Sequence, residues 1–217
     1  KNYVENYVQA LTHELKSPLA AIRGAAELID DQMPEEKRKR FLENILTETD
    51  RSENMVRRLV QLASVESRTR LEKRETVDLA TLVREEVAGL SSSIETKKLL
   101  IEDSGVGAGL SIEGDSLMLR IAVRNILSNA IDFSPEGGEI EIILLQKEKG
   151  IQLSILDRGP GIPEYAEGRI FDRFYSLKNE ITGRKGSGIG LSFVEATMHL
   201  HSGSAKLINR SKGGAEM

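Results

Sequence analysis

The sequence predicts an α plus α/β fold, in which a helical hairpin is followed by a two-layer α/β sandwich. Apolar residues recur at every third or fourth position over residues 4–29 and again over 41–63, which is the spacing of amphipathic α-helices. Further along, short apolar runs alternate with helical patterns, as in layered α/β domains. The charged stretch 68–74 separates the two patterns. We therefore expect a helical domain over residues 1–70 and an α/β domain over residues 75–217.

The composition limits the classes of function. The chain has 217 residues, of which 39% are hydrophobic, so it can bury a core. Its formal net charge is −4 with both signs interspersed, so we expect no nucleic-acid partner. The absence of cysteine excludes disulfides and thiolate metal sites. No run approaches the ~20 apolar residues of a membrane span. The chain begins without Met inside a helical pattern, so we expect an excised fragment.

The helical half divides at residues 30–34. Pro34 suits the first turn of a helix, where its missing N–H is not needed. Two antiparallel helices with one apolar stripe each cannot bury both stripes well alone. A second copy would complete a four-helix bundle, so we expect a homodimer.

The α/β half contains a mixture of strand and helix patterns. Strands are expected at 76–79, 99–102, 110–112, 139–147, 151–157 and 205–209, and helices at 81–96, 115–133 and 189–200. The closing residues 213–217 are positioned to begin one more strand.

His13 lies in the first helical pattern, within Leu11-Thr-His-Glu-Leu-Lys-Ser-Pro-Leu19. At about 100° per residue it projects from the face opposite the apolar stripe, with Glu14 beside it and Ser17 one turn further on. A neighbouring carboxylate can hold one imidazole N–H, which leaves the other ring nitrogen free for nucleophilic attack. Pro18 leaves the Glu14 carbonyl without its helical partner, so we expect a bend or loosened turn there. An isolated histidine of this kind is more often an ordinary surface residue, so this interpretation depends on the other motifs.

Two further sets of residues indicate a nucleotide site. Asn125 and Asn129 are four apart in a helical pattern, and the amide oxygen of Asn129 can ligate Mg²⁺ without adding charge that repels a triphosphate. Asp157 ends an apolar strand just before Gly159 and Gly161. Its carboxylate can accept the adenine amino proton, while the glycines let the backbone approach the ring.

A loop before the last predicted helix is a candidate lid over phosphates. It follows Ile170-Phe-Asp-Arg-Phe-Tyr175 and contains the basic residues Lys178, Arg184 and Lys185. Backbone N–H groups and the helix dipole favour phosphate at the helix start. The residues there are Gly186, Ser187, Gly188 and Gly190. The chain lacks a complete Rossmann fingerprint, a Walker A sequence and a His-Arg-Asp loop, which excludes those three classes of nucleotide enzyme.

Five segments resemble, in family order, the H, N, G1, F and G2 boxes of bacterial sensor histidine kinases. They are the His13 segment, Asn125-Ile-Leu-Ser-Asn129, Asp157-Arg-Gly-Pro-Gly161, the 170–175 segment and Gly186-Ser-Gly-Ile-Gly190. The resemblance implies a dimerising phosphotransfer hairpin followed by an ATP-binding domain of the Bergerat type. It further implies autophosphorylation by ATP with Mg²⁺, followed by transfer to an aspartate of a response regulator.

The resemblance also implies roles for single residues. His13 would be the phosphoacceptor, Glu14 its base, and Asn129 the Mg²⁺ ligand. The implied nucleotide-binding residues are Asn125, Asn129, Asp132, Asp157, Gly159, Gly161, Arg173, Lys178, Gly186, Ser187, Gly188, Gly190 and Leu191. The implied location is the cytoplasmic side of a protein anchored in the inner membrane through other segments.

Three positions leave alternatives open. Ser17 stands where many relatives carry Thr or Asn, so dephosphorylation of the regulator is left open. Asp132 resembles the related clamp ATPases of the gyrase and mismatch-repair type, whereas kinases often carry a basic residue there. In those ATPases, the position of Asn125 is occupied by a Glu that activates water. Asn125 is a poor base. The H box favours the kinase over the clamp ATPase. A degenerate dimerisation scaffold is disfavoured because every box retains plausible chemistry.

Overall fold

The computed structural model describes residues 2–30, 32–107, 109–148, 150–179, 183, 186–211 and 213–217, without the side chains of 2–11, 13, 14, 104 and 105. The chain divides into two compact units, residues 1–63 and 64–217. The predicted order of a helical hairpin and then an α/β domain is confirmed. The predicted domain limits near residues 70 and 75 stay a prediction.

Two long helices account for most of the first unit. They are α1 (Asn2–Leu28) and α2 (Glu35–Glu66). Helix α1 continues through Pro18; a bend at this point stays a prediction. Helix α2 begins directly after Pro34, and the acidic pair in its first turn, Glu35 and Glu36, offsets the helix dipole. Among the described residues, neither these helices nor any other is long and apolar enough to cross a lipid bilayer.

The second unit contains seven strands and four helices within its described residues. In order they are β1 (Glu75–Asp78), α3 (Leu79–Gly89), α4 (Ser91–Thr96), β2 (Leu100–Val106), β3 (Ser111–Gly114), α5 (Ser116–Phe133), β4 (Glu139–Lys147), β5 (Gly150–Leu156), α6 (Gly190–Leu200), β6 (Ile208–Asn209) and β7 (Ala215–Glu216). A single 3₁₀ turn, Glu164–Ala166, follows β5.

The strands form two sheets. The larger has the order β2-β4-β5-β7-β6, and the smaller pairs β1 with β3. Strand β2 runs parallel to β4, whereas β5 is antiparallel to both β4 and β7. Because β7 pairs next to the end of β5, with Leu156 opposite Glu216, the chain terminus lies beside the G1 box.

The main core lies between the larger sheet and helices α3 and α5. Ile140, Ile142 and Leu144 alternate along β4 and are fully buried, as expected for one face of a strand. They belong to one buried cluster with residues of α3, such as Val83, and of α5, such as Leu127. This packing fixes the position of α5, the helix that carries Asn125 and Asn129.

The predicted elements differ from the structure in two places. The helix expected over residues 81–96 is two helices, because the backbone leaves helical geometry at Leu90 (φ −109°, ψ 7°). The strand expected over residues 205–209 is the two-residue β6. Its only pairing within the described chain is to β7, which itself has two residues, so the ladder ends there.

Candidate functional site

The phosphoacceptor segment lies on α1. His13 and Glu14 fall within this helix, but their side chains lie outside the described residues, so their roles stay predictions. Ser17 is exposed one turn after His13, and Pro18 is buried.

The N box lies in the second half of α5. This helix starts at a cap in which the carboxylate of Asp115 accepts the N–H of Met118 at 3.1 Å. Asn125 and Asn129 are one turn apart, half-buried, and within the described chain no hydrogen bond engages either amide. Asn125 Oδ1 would lie 3.3 Å from a Cβ at Gly190. The structure therefore brings the N box beside the end of the G2 box, and both asparagines are partly accessible to solvent.

Asp157 follows the last residue of β5 and is buried, at 8% exposure. Its Oδ1 accepts the backbone N–H of Gly159 at 2.7 Å and that of Ala215 at 3.2 Å. Burial raises the pKa of the Asp157 carboxyl, and the two N–H groups and the charge of Arg210 oppose that rise. Because both hydrogen bonds reach Oδ1, the described residues leave Oδ2 available to a ligand.

The two G1 glycines serve close packing within the protein. A Cβ at Gly159 would lie 2.7 Å from the carbonyl oxygen of Phe133, at the end of α5. Gly161 has φ +78°, which favours glycine, and a Cβ there would lie 2.5 Å from Asn209 Oδ1. The predicted approach of these glycines to an adenine ring stays a prediction. Their packing against Phe133 and Asn209 was not predicted.

The F box and the G2 box touch through their backbones. The N–H of Phe174 donates to the carbonyl of Gly188 at 2.8 Å, and both residues have positive φ. A Cβ at Gly188 would clash with the Phe174 backbone. Gly188 therefore fixes the base of the candidate lid to the F box.

The basic residues assigned to phosphate lie in different surroundings. Arg173 forms an ion pair with Glu66, so its guanidinium already has an acidic partner. Lys178 is exposed. Arg184 and Lys185, which we also interpret as part of the lid, lie outside the described residues.

The G2 box leads into α6. Gly186 approaches Ser176, whose Oγ would lie 3.2 Å from a Cβ there. Helix α6 begins at Gly190, and its N-cap residue Ile189 provides no side-chain cap. The first N–H groups of α6 are thus suited to an anion. Leu191 packs against a small buried cluster formed by Ile162, Ala166 and Ile170.

Lys97, outside the predicted motifs, and Asn179, in the candidate lid loop, support the C-terminal end of α5, the helix that carries the N box. Lys97 Nζ donates to the carbonyls of Ile131, Asp132 and Ser134 at 2.7, 2.8 and 2.9 Å. Asn179 Nδ2 donates to the same Asp132 carbonyl at 2.6 Å. The last turn of α5 is therefore capped by a cation, which also suits the helix dipole. Asp132 takes part in the site through its main chain, and its side chain is exposed.

Arg210 supports the G1 box in a similar way. Its Nη1 donates to the Asp157 carbonyl at 2.9 Å, and its Nη2 lies 3.7 Å from a carboxylate oxygen of Glu141. No local pattern in the sequence distinguishes this arginine from the other basic residues. Its role depends on β7 folding back beside β5.

Two family descriptions match the chain. Residues 114–217 match the histidine kinase-, DNA gyrase B-, and HSP90-like ATPase family, which includes kinases and clamp ATPases alike. Residues 4–68 match the His Kinase A (phospho-acceptor) domain, and this match decides between them. The chain belongs to the sensor histidine kinases.

Individual relatives agree with this assignment. Sensor protein CreC of Escherichia coli (strain K12) is 42% identical over 214 residues, which are 99% of this histidine kinase and 44% of CreC. The chain therefore spans less than half the length of that relative.

Two solved structures show the same fold. Histidine kinase ThkA in complex with the response regulator TrrA has a TM-score of 0.78 at 20% identity, over 97% of this chain and 59% of ThkA. Full-length ShkA in complex with AMPPNP has a TM-score of 0.66 at 24% identity, over 97% of this chain and 44% of ShkA.

The N box of this kinase fits a hard divalent cation. Asn129 offers a neutral amide oxygen, the ligand type that Mg²⁺ accepts, and its amide has no hydrogen-bond partner among the described residues. The described residues contain no cluster of three acidic, His or Cys side chains that would hold a metal alone. Mg²⁺ bound here would take most of its ligands from phosphate oxygens and water.

Replacing Lys97 with methionine is expected to lower the free energy of unfolding by about 2 kcal/mol, because three carbonyls of the α5 terminus lose a charged donor. Urea unfolding followed by circular dichroism measures this. Lys98→Met is the matched control, since Lys98 pairs with Glu136 at the exposed surface. Equal unfolding midpoints for the two variants would show that the Lys97 cap contributes nothing.

Proposed function

We propose that this chain is the catalytic core of an ATP-dependent protein-histidine kinase that phosphorylates His13 and passes the phosphoryl group to an aspartate of a response regulator. The observation that carries the proposal is the Asp157 carboxylate, held by two backbone N–H groups in the same domain as the free amides of Asn125 and Asn129. The H box on α1 supplies the acceptor for the transferred group.

Recognition of adenine depends on Asp157. Its Oδ1 already accepts the N–H groups of Gly159 and Ala215, so Oδ2 accepts a hydrogen bond from the adenine amino group. A buried carboxylate with fixed orientation makes this contact selective, because guanine presents a carbonyl at the same position and leaves Oδ2 without a donor.

The phosphates extend from the adenine toward the N and G2 boxes. Asn129 would hold Mg²⁺ through its amide oxygen, and the ion would supply positive charge to the phosphates. The N-terminus of α6, at Gly190, presents backbone N–H groups to the phosphate oxygens. Lys178 is exposed in the candidate lid segment and provides a positive charge for the phosphates.

The transfer step requires a neutral imidazole at position 13. The free ring nitrogen of His13 attacks the γ-phosphorus, a phosphorus–nitrogen bond forms, and the bond to the bridging oxygen breaks with its electrons leaving on ADP. Glu14 holds the other ring N–H and takes its proton as the bond forms. Positioning and charge neutralisation supply most of the rate enhancement in such transfers.

A second copy of the chain covers the apolar face of the hairpin in this proposal. Large apolar side chains of α1 and α2 are exposed in the single chain; they are Leu19, Leu28, Leu42, Leu46, Val56 and Val60. Such a set is typical of an interface, and pairing two hairpins buries it in a four-helix bundle. A response regulator then docks on this dimer; ThkA, which has the same fold, forms a complex with the response regulator TrrA. We also propose that the full-length protein is anchored in the inner membrane, as is typical of sensor kinases.

The alternative is a clamp-type ATPase that transfers the phosphoryl group to water. Asp132 resembles that class, and the ATPase family match includes it. Asn125 opposes it, because an amide cannot accept the proton of an attacking water. The two functions differ in the fate of the γ-phosphate.

Incubation with γ-³²P-ATP and Mg²⁺ separates the two functions. The kinase incorporates label into protein up to a fixed stoichiometry, with little free phosphate released. A clamp ATPase releases phosphate steadily and leaves the protein unlabelled, and that result would refute the proposal.

Replacing Asp157 with asparagine is expected to weaken ADP binding by about tenfold to a hundredfold, the cost of a buried donor without an acceptor. In either orientation of the new amide, its NH₂ group faces a donor, which is the adenine amino group or the N–H of Gly159. Calorimetric titration with ADP measures the change.

The pH dependence of ADP binding checks the same role of Asp157. The acceptor is the carboxylate, and burial raises its pKa. Lowering the pH should therefore weaken ADP binding to the wild type, starting above the pH at which an ordinary Asp, with a pKa of about 3.9, becomes protonated. Asp157→Asn should lack this decline. Identical pH profiles for the two proteins would argue against Asp157 as the adenine acceptor.

A further inference from the structure

The side chain of Asn209 is paired with the backbone of Ile162 as a neighbouring strand would be. Its Oδ1 accepts the Ile162 N–H at 2.6 Å, and its Nδ2 donates to the Ile162 carbonyl at 2.8 Å. Nδ2 also lies 3.2 Å from a carboxylate oxygen of Glu167. One amide therefore satisfies both backbone groups of a residue that directly follows the G1 box.

The G1 box is shaped to receive this amide. Gly161 has φ +78°, and a Cβ at this position would lie 2.5 Å from Asn209 Oδ1. Any side chain at Gly161 would therefore displace the amide as well as strain the backbone. The Asn209 amide can therefore bind the backbone of Ile162 only because residue 161 is glycine.

Ile162 links the G1 box to the F box region and to the start of α6. Its side chain is buried with Ala166 and Ile170, and partly buried Phe171 and Leu191 pack against this cluster. These residues belong to the F box region and to the start of α6. A shift of the Ile162 backbone would therefore change the packing of both the F box region and the start of α6.

Arg210, the next residue after Asn209, holds the other end of the same segment. It donates to the Asp157 carbonyl at 2.9 Å, while Asn209 holds Ile162. The segment 157–162 is thus attached at both ends to two consecutive residues of the β6–β7 hairpin.

We propose that Asn209 is a positioning residue of the nucleotide site, which fixes the backbone at Gly161 and Ile162 and thereby sets the position of the G1 box relative to the Asp157 carboxylate. This rests on the proposed function, in which Asp157 recognises adenine. Asn209 touches no reacting atom in this account. It determines the affinity and selectivity for the base, and the transfer step proceeds normally once ATP is bound.

The test compares Asn209→Ala and Asn209→Asp with Lys206→Ala, an exposed control in the same region. Calorimetry gives the dissociation constants for Mg·ADP, Mg·GDP and Mg·pyrophosphate, and ³²P labelling gives kcat and KM for ATP. In Asn209→Ala, the dissociation constant for ADP should rise about tenfold, since two backbone hydrogen bonds are lost. The ADP-over-GDP preference should fall, and kcat and pyrophosphate binding should stay near wild type.

Asn209→Asp should weaken ADP binding more than Asn209→Ala. A carboxylate oxygen would replace Nδ2 and face the Ile162 carbonyl and the Glu167 carboxylate, which repel it. Asn209→Asp keeps the size of the side chain and the oxygen that accepts the Ile162 N–H, so it leaves no cavity and tests the proposal should Asn209→Ala fail to fold.

Three outcomes would overturn the proposal. Wild-type ADP affinity and selectivity in both Asn209 variants would show that the amide is dispensable. An equal loss of affinity for ADP, GDP and pyrophosphate would show that Asn209 has only a general structural role. A wild-type chain that binds no adenine nucleotide would overturn the proposed function itself, and this result is distinct because it appears before any substitution is made.

Discussion

Replacing His13 with glutamine is expected to abolish phosphoryl transfer to the chain while leaving its affinity for Mg·ADP unchanged. Glutamine keeps a polar side chain of similar length on α1 but has no ring nitrogen with a lone pair to attack phosphorus. The residues proposed to bind the nucleotide lie in the other compact unit, so nucleotide binding should be unaffected. Incorporation of ³²P from γ-labelled ATP and titration with ADP measure the two quantities on the same preparation.

His199→Gln is the matched control for this prediction. His199 is an exposed histidine in the last turn of α6, so its replacement should leave both labelling and ADP binding as in the wild type. Undiminished labelling of His13→Gln would show that the acceptor is elsewhere. Loss of ADP affinity in that variant would show that position 13 contributes to binding.

Replacing Asn129 with alanine is expected to lower the labelling rate by at least about a hundredfold, because the Mg²⁺ ion loses its protein ligand and the phosphates lose their alignment. Binding of Mg·ADP should weaken strongly, whereas binding of adenosine, which has no phosphate, should not change. Measuring ADP and adenosine on the same variant therefore separates loss of the metal site from damage to the adenine site.

Ser128→Ala serves as the control for Asn129. Ser128 precedes Asn129 on α5 and is half-buried to a similar degree, so this variant reports any general effect of altering the helix. Asn129→Ala that labels at the wild-type rate would refute the metal role. Equal weakening of ADP and adenosine binding would place the defect in the fold of α5.

The helical half of the fold could be predicted because periodicity records which face of a helix is apolar. The spacing that predicts helices over residues 4–29 and 41–63 is found in α1 and α2. The position of Asp157 could also be predicted, since a polar residue that follows an apolar strand lies where that strand leaves the sheet. In both cases the pattern that predicts the structure lies within a short stretch of neighbouring residues.

The supporting residues could not be predicted, because their roles depend on partners distant in the chain. Lys97 caps the α5 terminus through Asp132, 35 positions later, and Asn209 contacts Ile162 across 47 positions. Asn209 pairs with a backbone as a neighbouring strand would, but nothing in the sequence distinguishes it from other asparagines. The length of β6 could not be predicted either, because β6 pairs with β7, and β7 has only two residues.

The most direct test of the central claim is to find where the phosphoryl group sits on the wild-type chain. After reaction with γ-³²P-ATP and Mg²⁺, the labelled protein is treated with acid and with alkali, and its peptides are sequenced by mass spectrometry. A kinase that uses His13 gives label that is lost in acid, retained in alkali, and located in the peptide containing His13. Acid-stable label on a hydroxyl residue, or steady phosphate release with no label on the chain, would contradict the account.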